Sequence, residues 1–522
     1  MESLETAAST SEPKAIELPE ASAGRDWGAI GSKVVFPVAL AVSLSIWFLA
    51  LRAPLWLDET LAYWQVNGGL GKLWSRSALM PSSIGYLFVL WLTKTVFGSR
   101  EIVLKVPSLL ALLAAVYFLY QAVRRLLDQE TAFLACIFFA LEGNVVFAAT
   151  DARPYAFALL ATNLAVFAFV RWMAEPTAQR AILFGAAAAG ILYFHYLFAS
   201  VLPVFAAYYL IARWHSIKED AKQIAAVLAS FALLTIPLAV RVASLYQSRD
   251  THIVPEVPHP FLMALNTLAP KQLMIGFIAA AFLAALLRKL RLPDGASFPA
   301  VVFGPLLAFV PAAVLFALSA ATPMHLILPR YLSVVAPGSA LTWGILTRCI
   351  DSRLLRQIFC VGLVGVTAFE AYSSPYSGWH EVNFKHAHAL VNANTAGEEG
   401  KVPVLECSAF IESNYEPLPT DRESENALNS QIYYYPVNEP VIMLPLFRNA
   451  ETERIAADLV TEAAQKHQRF LLVAGLNSYQ TIQWLARYSS PTFTARVIGD
   501  FRESVVVEFT PSSADQTPVP QF

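Results

Sequence analysis

From residue 33 to residue 373 the chain is filled by about eleven apolar runs of roughly 20 residues each. No other feature constrains the fold as much. A run of that length crosses the hydrocarbon layer of a bilayer as a helix, where backbone N–H and C=O groups must be satisfied within the segment itself. Composition agrees: 56% of the 522 residues are apolar, 15% are charged, and mean hydropathy is +0.50. Soluble domains carry about 25% charged residues, so a soluble enzyme, a disordered chain and a fibrous protein are excluded. Of four cysteines, Cys136, Cys349 and Cys360 lie in apolar runs, so no disulfide framework is expected. A net charge of −2 leaves no electrostatic footprint for nucleic acid. The chain reads as a polytopic α-helical membrane protein with about 11 transmembrane helices.

The runs lie near 33–51, 103–121, 131–149, 155–173, 181–197, 198–213, 223–241, 271–288, 297–318, 331–349 and 356–373. Residues 1–32 are polar and mildly acidic, without a basic start leading into a cleavable apolar segment, and read as a disordered cytoplasmic tail. The stretch 84–97 includes Lys94 and is short for a span. If it lies along the surface, the linkers carrying Arg124/Arg125, Arg171/Arg180, Arg213/Lys218/Lys222, Arg288/Lys289/Arg291 and Arg348/Arg353/Arg356 all share the side of the N-terminal tail. That arrangement puts the N-terminus in the cytoplasm. It puts the first loop (52–102), the turn at 150–154, the loops 242–270 and 319–330, and everything after 373 outside. Residues 374–510 change to a polar, acidic composition and form an extracytoplasmic α/β domain, followed by a frayed tail at 511–522. Its strands are expected at VPVLECS, PVIMLPL, RFLLVAG and SVVVEFT, and an amphipathic helix at AETERIAADLVTEAAQKHQ.

The outer turns hold the residues that could carry chemistry. Asp58 and Glu59 follow Leu55-Trp56-Leu57, and acids that close to hydrocarbon need a partner or a water-filled cavity. Asp58 could instead cap a helix, with Trp56 and Trp64 as interfacial anchors. Asp151 and Arg153 flank Ala152 just before Pro154 and Tyr155; they supply either a helix cap or a second acid with a phosphate-binding guanidinium. His195 and Tyr196 stand at a span boundary among aromatics. Arg330, followed by Tyr331, is the only Lys or Arg of its loop, and fits either bidentate phosphate binding or a headgroup anchor. Glu142 and Glu370 lie within spans and have no assigned role. No nucleotide-binding glycine loop, HExxH, CxxC or clustered His/Cys metal set occurs in the sequence.

In their order and membrane side these residues resemble the C-type (GT-C) membrane glycosyltransferases. Within them the chain resembles the bacterial branch of lipopolysaccharide-core galacturonosyltransferases, aminoarabinose transferases and protein O-mannosyltransferases. The resemblance rests on Trp56-Leu57-Asp58-Glu59, Phe97-Gly98 with Glu101 and Pro107-Ser108, Arg124-Arg125-Leu126, Asp151-Ala152-Arg153-Pro154-Tyr155, His195-Tyr196 and Arg330-Tyr331-Leu332, over roughly residues 33–350. Two departures stand out: Met80-Pro81-Ser82-Ser83 replaces a usual His-Pro-Pro element, and Lys105 stands where an Arg is more usual. The resemblance implies a multi-pass protein of the bacterial inner membrane, with its C-terminal domain in the periplasm. Such a protein moves a sugar from a polyprenyl-phosphate carrier to a hydroxyl of a lipid, glycan or protein acceptor, with inversion. It implies Asp58 as general base, Glu59 as its orienting neighbour and Asp151 as a second acid. Arg153, Tyr155, His195, Tyr196, Arg330, Tyr331, Glu101 and Lys105 become candidate substrate-binding residues. It implies no cofactor; a divalent metal would have no motif, and oligomeric state is open. A transporter or flippase for a lipid-linked saccharide is the competing reading, although no paired repeat of broken spans is visible.

Overall fold

The computed structural model describes residues 27–79, 83–247, 259–291, 297–322, 325–373, 383–398, 401–414, 421–475, 478–501 and 504–512. The tails expected at 1–32 and 511–522 fall largely outside these residues, as do Met80, Pro81 and Ser82.

The helices of the N-terminal unit follow the apolar runs. They are α1 (Trp27–Ile46), α2 (Leu57–Val66), α3 (Leu70–Leu79), α4 (Ile84–Phe97), α5 (Glu101–Leu126), α6 (Gln129–Leu141), α7 (Gly143–Ala149), α8 (Tyr155–Ala174) and α9 (Ala178–Phe194). Then come α10 (Leu202–Arg213), α11 (Ala221–Gln247), α12 (Pro260–Leu268), α13 (Lys271–Leu286), α14 (Phe298–Ala321), α15 (Pro329–Leu332), α16 (Ala336–Arg348) and α17 (Arg353–Ser373). Among the described residues seven helical stretches are long and apolar enough to cross a bilayer, or nine if the bent pairs α6–α7 and α12–α13 each count as one. The two other expected runs also form helices. At 17 residues α9 is short, and the run before Arg348 is interrupted by the 3-10 turn Ser333–Val335. Leu233 and Ile236 on α11, Ile278 and Phe282 on α13, and Phe369 on α17 are exposed, as lipid-facing side chains are.

Caps mark where several helices begin. Asp128 accepts the Thr131 N–H at 2.8 Å ahead of α6, and Glu142 accepts the Val145 N–H at 2.9 Å, restarting the chain as α7 after a bend of 71°. Glu142, without a role in the sequence, is thus the cap of a broken span. Helices α5, α8 and α16 each carry basic residues in their last turn, Arg124 and Arg125, Arg171 and Arg348. Close packing depends on small residues. A Cβ at Gly338 would come within 2.2 Å of the α14 backbone, so glycine there sets the α14–α16 approach.

The C-terminal unit contains helices α18 (Phe384–Asn394), α19 (Arg422–Leu428), α20 (Ser430–Tyr434), α21 (Ala450–Gln465) and α22 (Tyr479–Ser489). Its strands are β1 (Val404–Cys407), β2 (Val441–Leu444), β3 (Phe470–Gly475), β4 (Phe493–Asp500) and β5 (Ser504–Pro511). They form one sheet in the order β2-β1-β3-β5-β4, with β1 parallel to β2 and β3, and β5 antiparallel to β3 and β4. The four strands expected from sequence are present. The fifth, β4, was not foreseen: of its apolar residues only Phe493 is buried, and Arg496 and Val497 are exposed at the sheet edge.

Inside this unit His388 and Glu406 are buried together, with Nε2 3.2 Å from Oε1 and Nδ1 2.6 Å from the Tyr435 carbonyl. Burial alone would lower the histidine's pKa, but the carboxylate and the carbonyl raise it above its ordinary 6.5. A raised folded value means that this stabilisation is complete below pH 6.5 and is lost as pH climbs through the folded pKa. The thermal unfolding midpoint of the parent protein should therefore fall as pH rises above 6.5, and His388→Gln should flatten that dependence. Equal slopes for the two proteins would exclude His388 as the titrating group.

Candidate active site

Three turns, far apart in sequence, meet at one carboxylate. Asp58 lies in the first turn of α2, Arg153 in the turn before α8, and Arg330 in α15. Arg330 Nη1 is 3.0 Å from Asp58 Oδ2, and Arg153 Nη2 is 3.5 Å from the same oxygen. Arg153 Nη1 also donates to the Asp58 carbonyl at 3.2 Å. The Asp58 side chain stays 16% exposed and that of Arg330 30%, so the cluster opens to its surroundings. Two guanidiniums around one carboxylate leave a net positive charge. Each also keeps a buried Nε–H without a partner among the described residues.

Neither acid is the helix cap that the sequence allowed. The α2 cap is completed by Glu59, whose Oε2 accepts the Trp56 N–H at 2.9 Å. No side-chain cap bond starts α8; Asp151 Oδ1 instead accepts the Trp56 indole N–H at 3.0 Å. Glu59 and Asp151 are both fully buried. Glu59 Oε1 accepts the Ala152 N–H at 2.6 Å, and Lys105 Nζ stands 3.8 Å from Oε2. Burial raises the Glu59 carboxyl, partly offset by Lys105 and the two amides. Burial pushes Asp151 well above the usual carboxylate range, and the neighbouring Glu59 adds to it. Both acids are therefore framework around Asp58: Glu59 joins α2 to the turn before α8, and Ser108 on α5 holds the Asp151 carbonyl at 2.6 Å.

Aromatic rings line the next layer. The His195 ring lies 5.1 Å from Tyr155 and 5.7 Å from Tyr331, and its buried Nδ1 has no hydrogen-bond partner among the described residues. Arg330 packs over Trp56 and Tyr331, 6.0 and 5.5 Å from their ring centres. Tyr196 begins the 3-10 helix Tyr196–Val201. Lys105 and Glu101 are placed apart from this cluster. Lys105 is fully buried and donates to the Ala53 carbonyl at 2.9 Å. Glu101 pairs with Lys385 Nζ at 3.0 Å and accepts from Tyr435 Oη at 2.7 Å, facing the C-terminal unit. Sequence reasoning missed Lys385 and Tyr435; the run Tyr433-Tyr434-Tyr435, three aromatics in a polar region, was the available signal. Among the described residues no three His, Cys, Asp or Glu side chains converge as metal ligands do.

Residues 82–240 match the family model described as dolichyl-phosphate-mannose-protein mannosyltransferase. No curated protein matches the chain. Among solved structures, ArnT from Cupriavidus metallidurans in the apo state is similar at a TM-score of 0.51 and 14% identity, covering 92% of this chain and 98% of that one. The same protein bound to undecaprenyl phosphate is similar at 0.50 and 12% identity, with 94% and 100% covered. The fold is that of the GT-C membrane glycosyltransferases. The chain is a multi-pass membrane protein, and its C-terminal α/β unit is part of the likeness, which spans nearly the whole length.

Removing the charge of a fully buried, paired carboxylate strands its partners. Glu59→Gln should lower stability by about 3–5 kcal/mol, read as a reduced unfolding midpoint and a smaller folded fraction in detergent. Asp58→Asn, at a partly exposed position, should shift the midpoint far less. Similar midpoints for the two variants would show that Glu59 does not hold the framework.

Proposed function

We propose that this protein is a glycosyltransferase that moves a sugar from a polyprenyl-phosphate carrier to an acceptor hydroxyl, with inversion at the anomeric carbon. The observation carrying this reading is Asp58 held between Arg153 and Arg330 on a single oxygen, in a cluster open to its surroundings. Asp58 takes the proton of the acceptor hydroxyl as its oxygen bonds to the anomeric carbon. The bond from that carbon to the phosphate oxygen breaks, and its electron pair leaves with the carrier phosphate. Arg153 and Arg330 stabilise the negative charge that builds there. Both guanidiniums address Asp58, so an incoming phosphate competes for them and frees the carboxylate to act as base. Tyr155, His195, Tyr196 and Tyr331 offer rings and polar edges to the sugar. The ArnT structure bound to undecaprenyl phosphate supports a polyprenyl carrier, and the sequence carries no nucleotide loop. The acceptor is a lipid, glycan or protein. The one-sided basic linkers support a bacterial inner-membrane setting, with the site and the C-terminal unit on the periplasmic side.

The test uses the full-length protein in lipid nanodiscs with undecaprenyl phosphate carrying mannose, galacturonate or aminoarabinose, and an envelope extract as acceptor. Undecaprenyl phosphate release is the readout. Asp58→Asn should reduce transfer about 10²-fold or more while binding undecaprenyl phosphate at least as tightly as the parent, because the arginines lose their competing carboxylate. Near-parental transfer would remove Asp58 as the base.

The same assay separates the two candidate roles of Arg330. Arg330→Ala should weaken undecaprenyl phosphate binding more than Arg330→Lys, since Lys keeps the charge but loses the planar fork. Unchanged binding in both variants would make Arg330 a headgroup anchor.

A further inference from the structure

Four consecutive backbone positions lead into α2, and each is held by a side chain from another part of the chain or from the helix itself. Lys105 Nζ donates to the Ala53 carbonyl at 2.9 Å and to the Pro54 carbonyl at 3.4 Å. Tyr435 Oη accepts the Leu55 N–H at 2.7 Å, and Glu59 accepts the Trp56 N–H at 2.9 Å. Of these anchors, Tyr435 alone comes from the C-terminal unit, 380 residues along the chain from Leu55. Leu55 sits three positions before Asp58, the carboxylate that the arginines hold.

Tyr435 is itself fixed at both ends. Its hydroxyl donates to Glu101 Oε1 at 2.7 Å, and the other Glu101 oxygen pairs with Lys385 at 3.0 Å. Its carbonyl meets His388 Nδ1 at 2.6 Å, and the other side of that imidazole faces Glu406, which also accepts from Gln431 at 3.0 Å. The neighbours of Tyr435 grip the rest of α2 and the loop beyond. Ser430 Oγ lies 3.0 Å from Thr60 Oγ1, Asn67 donates to Tyr433 Oη at 2.8 Å, and Tyr434 donates to the Ser99 carbonyl at 2.6 Å.

We propose that the C-terminal α/β unit is an alignment element for the acid-bearing helix, with Tyr435 as its positioning residue. Its hydroxyl, shared between the Leu55 N–H and Glu101, sets how the chain enters α2 and thereby where Asp58 points. This inference rests on the reading of Asp58 as general base. A base must meet the acceptor hydroxyl within hydrogen-bond reach, and a displacement of about 1 Å is enough to cost a large share of the rate. In this role the C-terminal unit acts through the geometry of the α2 entry.

The experiment is Tyr435→Phe in the full-length protein in nanodiscs, assayed with the undecaprenyl-phosphate sugar that the parent turns over. The expected result is a fall in kcat of about tenfold, a carrier-sugar KM changed by less than about twofold, and unchanged affinity for undecaprenyl phosphate. Tyr435→Phe combined with Asp58→Asn should lose no more than Asp58→Asn alone, because the hydroxyl works only through that carboxylate. A parental kcat for Tyr435→Phe beside an inactive Asp58→Asn overturns the alignment role and leaves the base reading standing. A full further loss in the double variant overturns it as well. So does loss of undecaprenyl phosphate binding together with turnover, which marks general collapse. Parental transfer by Asp58→Asn takes down the base reading first, and the alignment role with it.

Discussion

Glu59 accepts one amide from its own helix cap and one from Ala152, across the junction between the first loop and the turn before α8, with Lys105 3.8 Å away. The Glu59 and Lys105 side chains are fully buried, and an unpaired charge there would be strongly destabilising. The partners therefore have to be present together, which locks α2, α5 and the start of α8 into one frame. Asp58 inherits its position from that frame. Asp58 is partly exposed, and Glu59 beside it is fully buried.

This division of labour between adjacent acids follows from α-helical geometry. Successive residues on a helix project about 100° apart, so Asp58 can face outward to Arg153 and Arg330 while Glu59 turns into the protein. Asp151 belongs with Glu59 on the buried side. Its carboxyl, pushed up by burial and by Glu59, holds the Trp56 indole, and that indole forms the floor on which Arg330 packs. Trp56, weighed in the sequence as a membrane anchor, links the second acid to the guanidinium that the first acid needs.

The C-terminal unit changes what the first loop means. Glu101 and Lys105 sit in the stretch that resembles a family motif, and sequence reasoning placed both at the substrate. Both serve the scaffold: Lys105 under the loop's carbonyls, and Glu101 against Lys385 and Tyr435. Lys105 meets the Ala53 and Pro54 carbonyls and Glu59, and the partners of Glu101 lie more than 280 residues away in the chain, so no local pattern could expose those roles.

Apolar run length alone gave the helical membrane architecture, because a bilayer admits few other solutions for such a chain. Alternating patterns gave four of the five strands, and the outer-turn charges gave Asp58, Arg153 and Arg330 as residues of one region. Period and composition are local properties, and these features are local. Sequence could not decide which acid is reachable, since neighbouring carboxylates look alike until burial separates them: 16% exposure for Asp58 and none for Glu59. Nor could it show that both arginines share one carboxylate oxygen, or that a tyrosine hydroxyl 380 residues away holds the entry to α2. Those are contacts across the fold, and only tertiary packing brings their atoms to hydrogen-bonding distance.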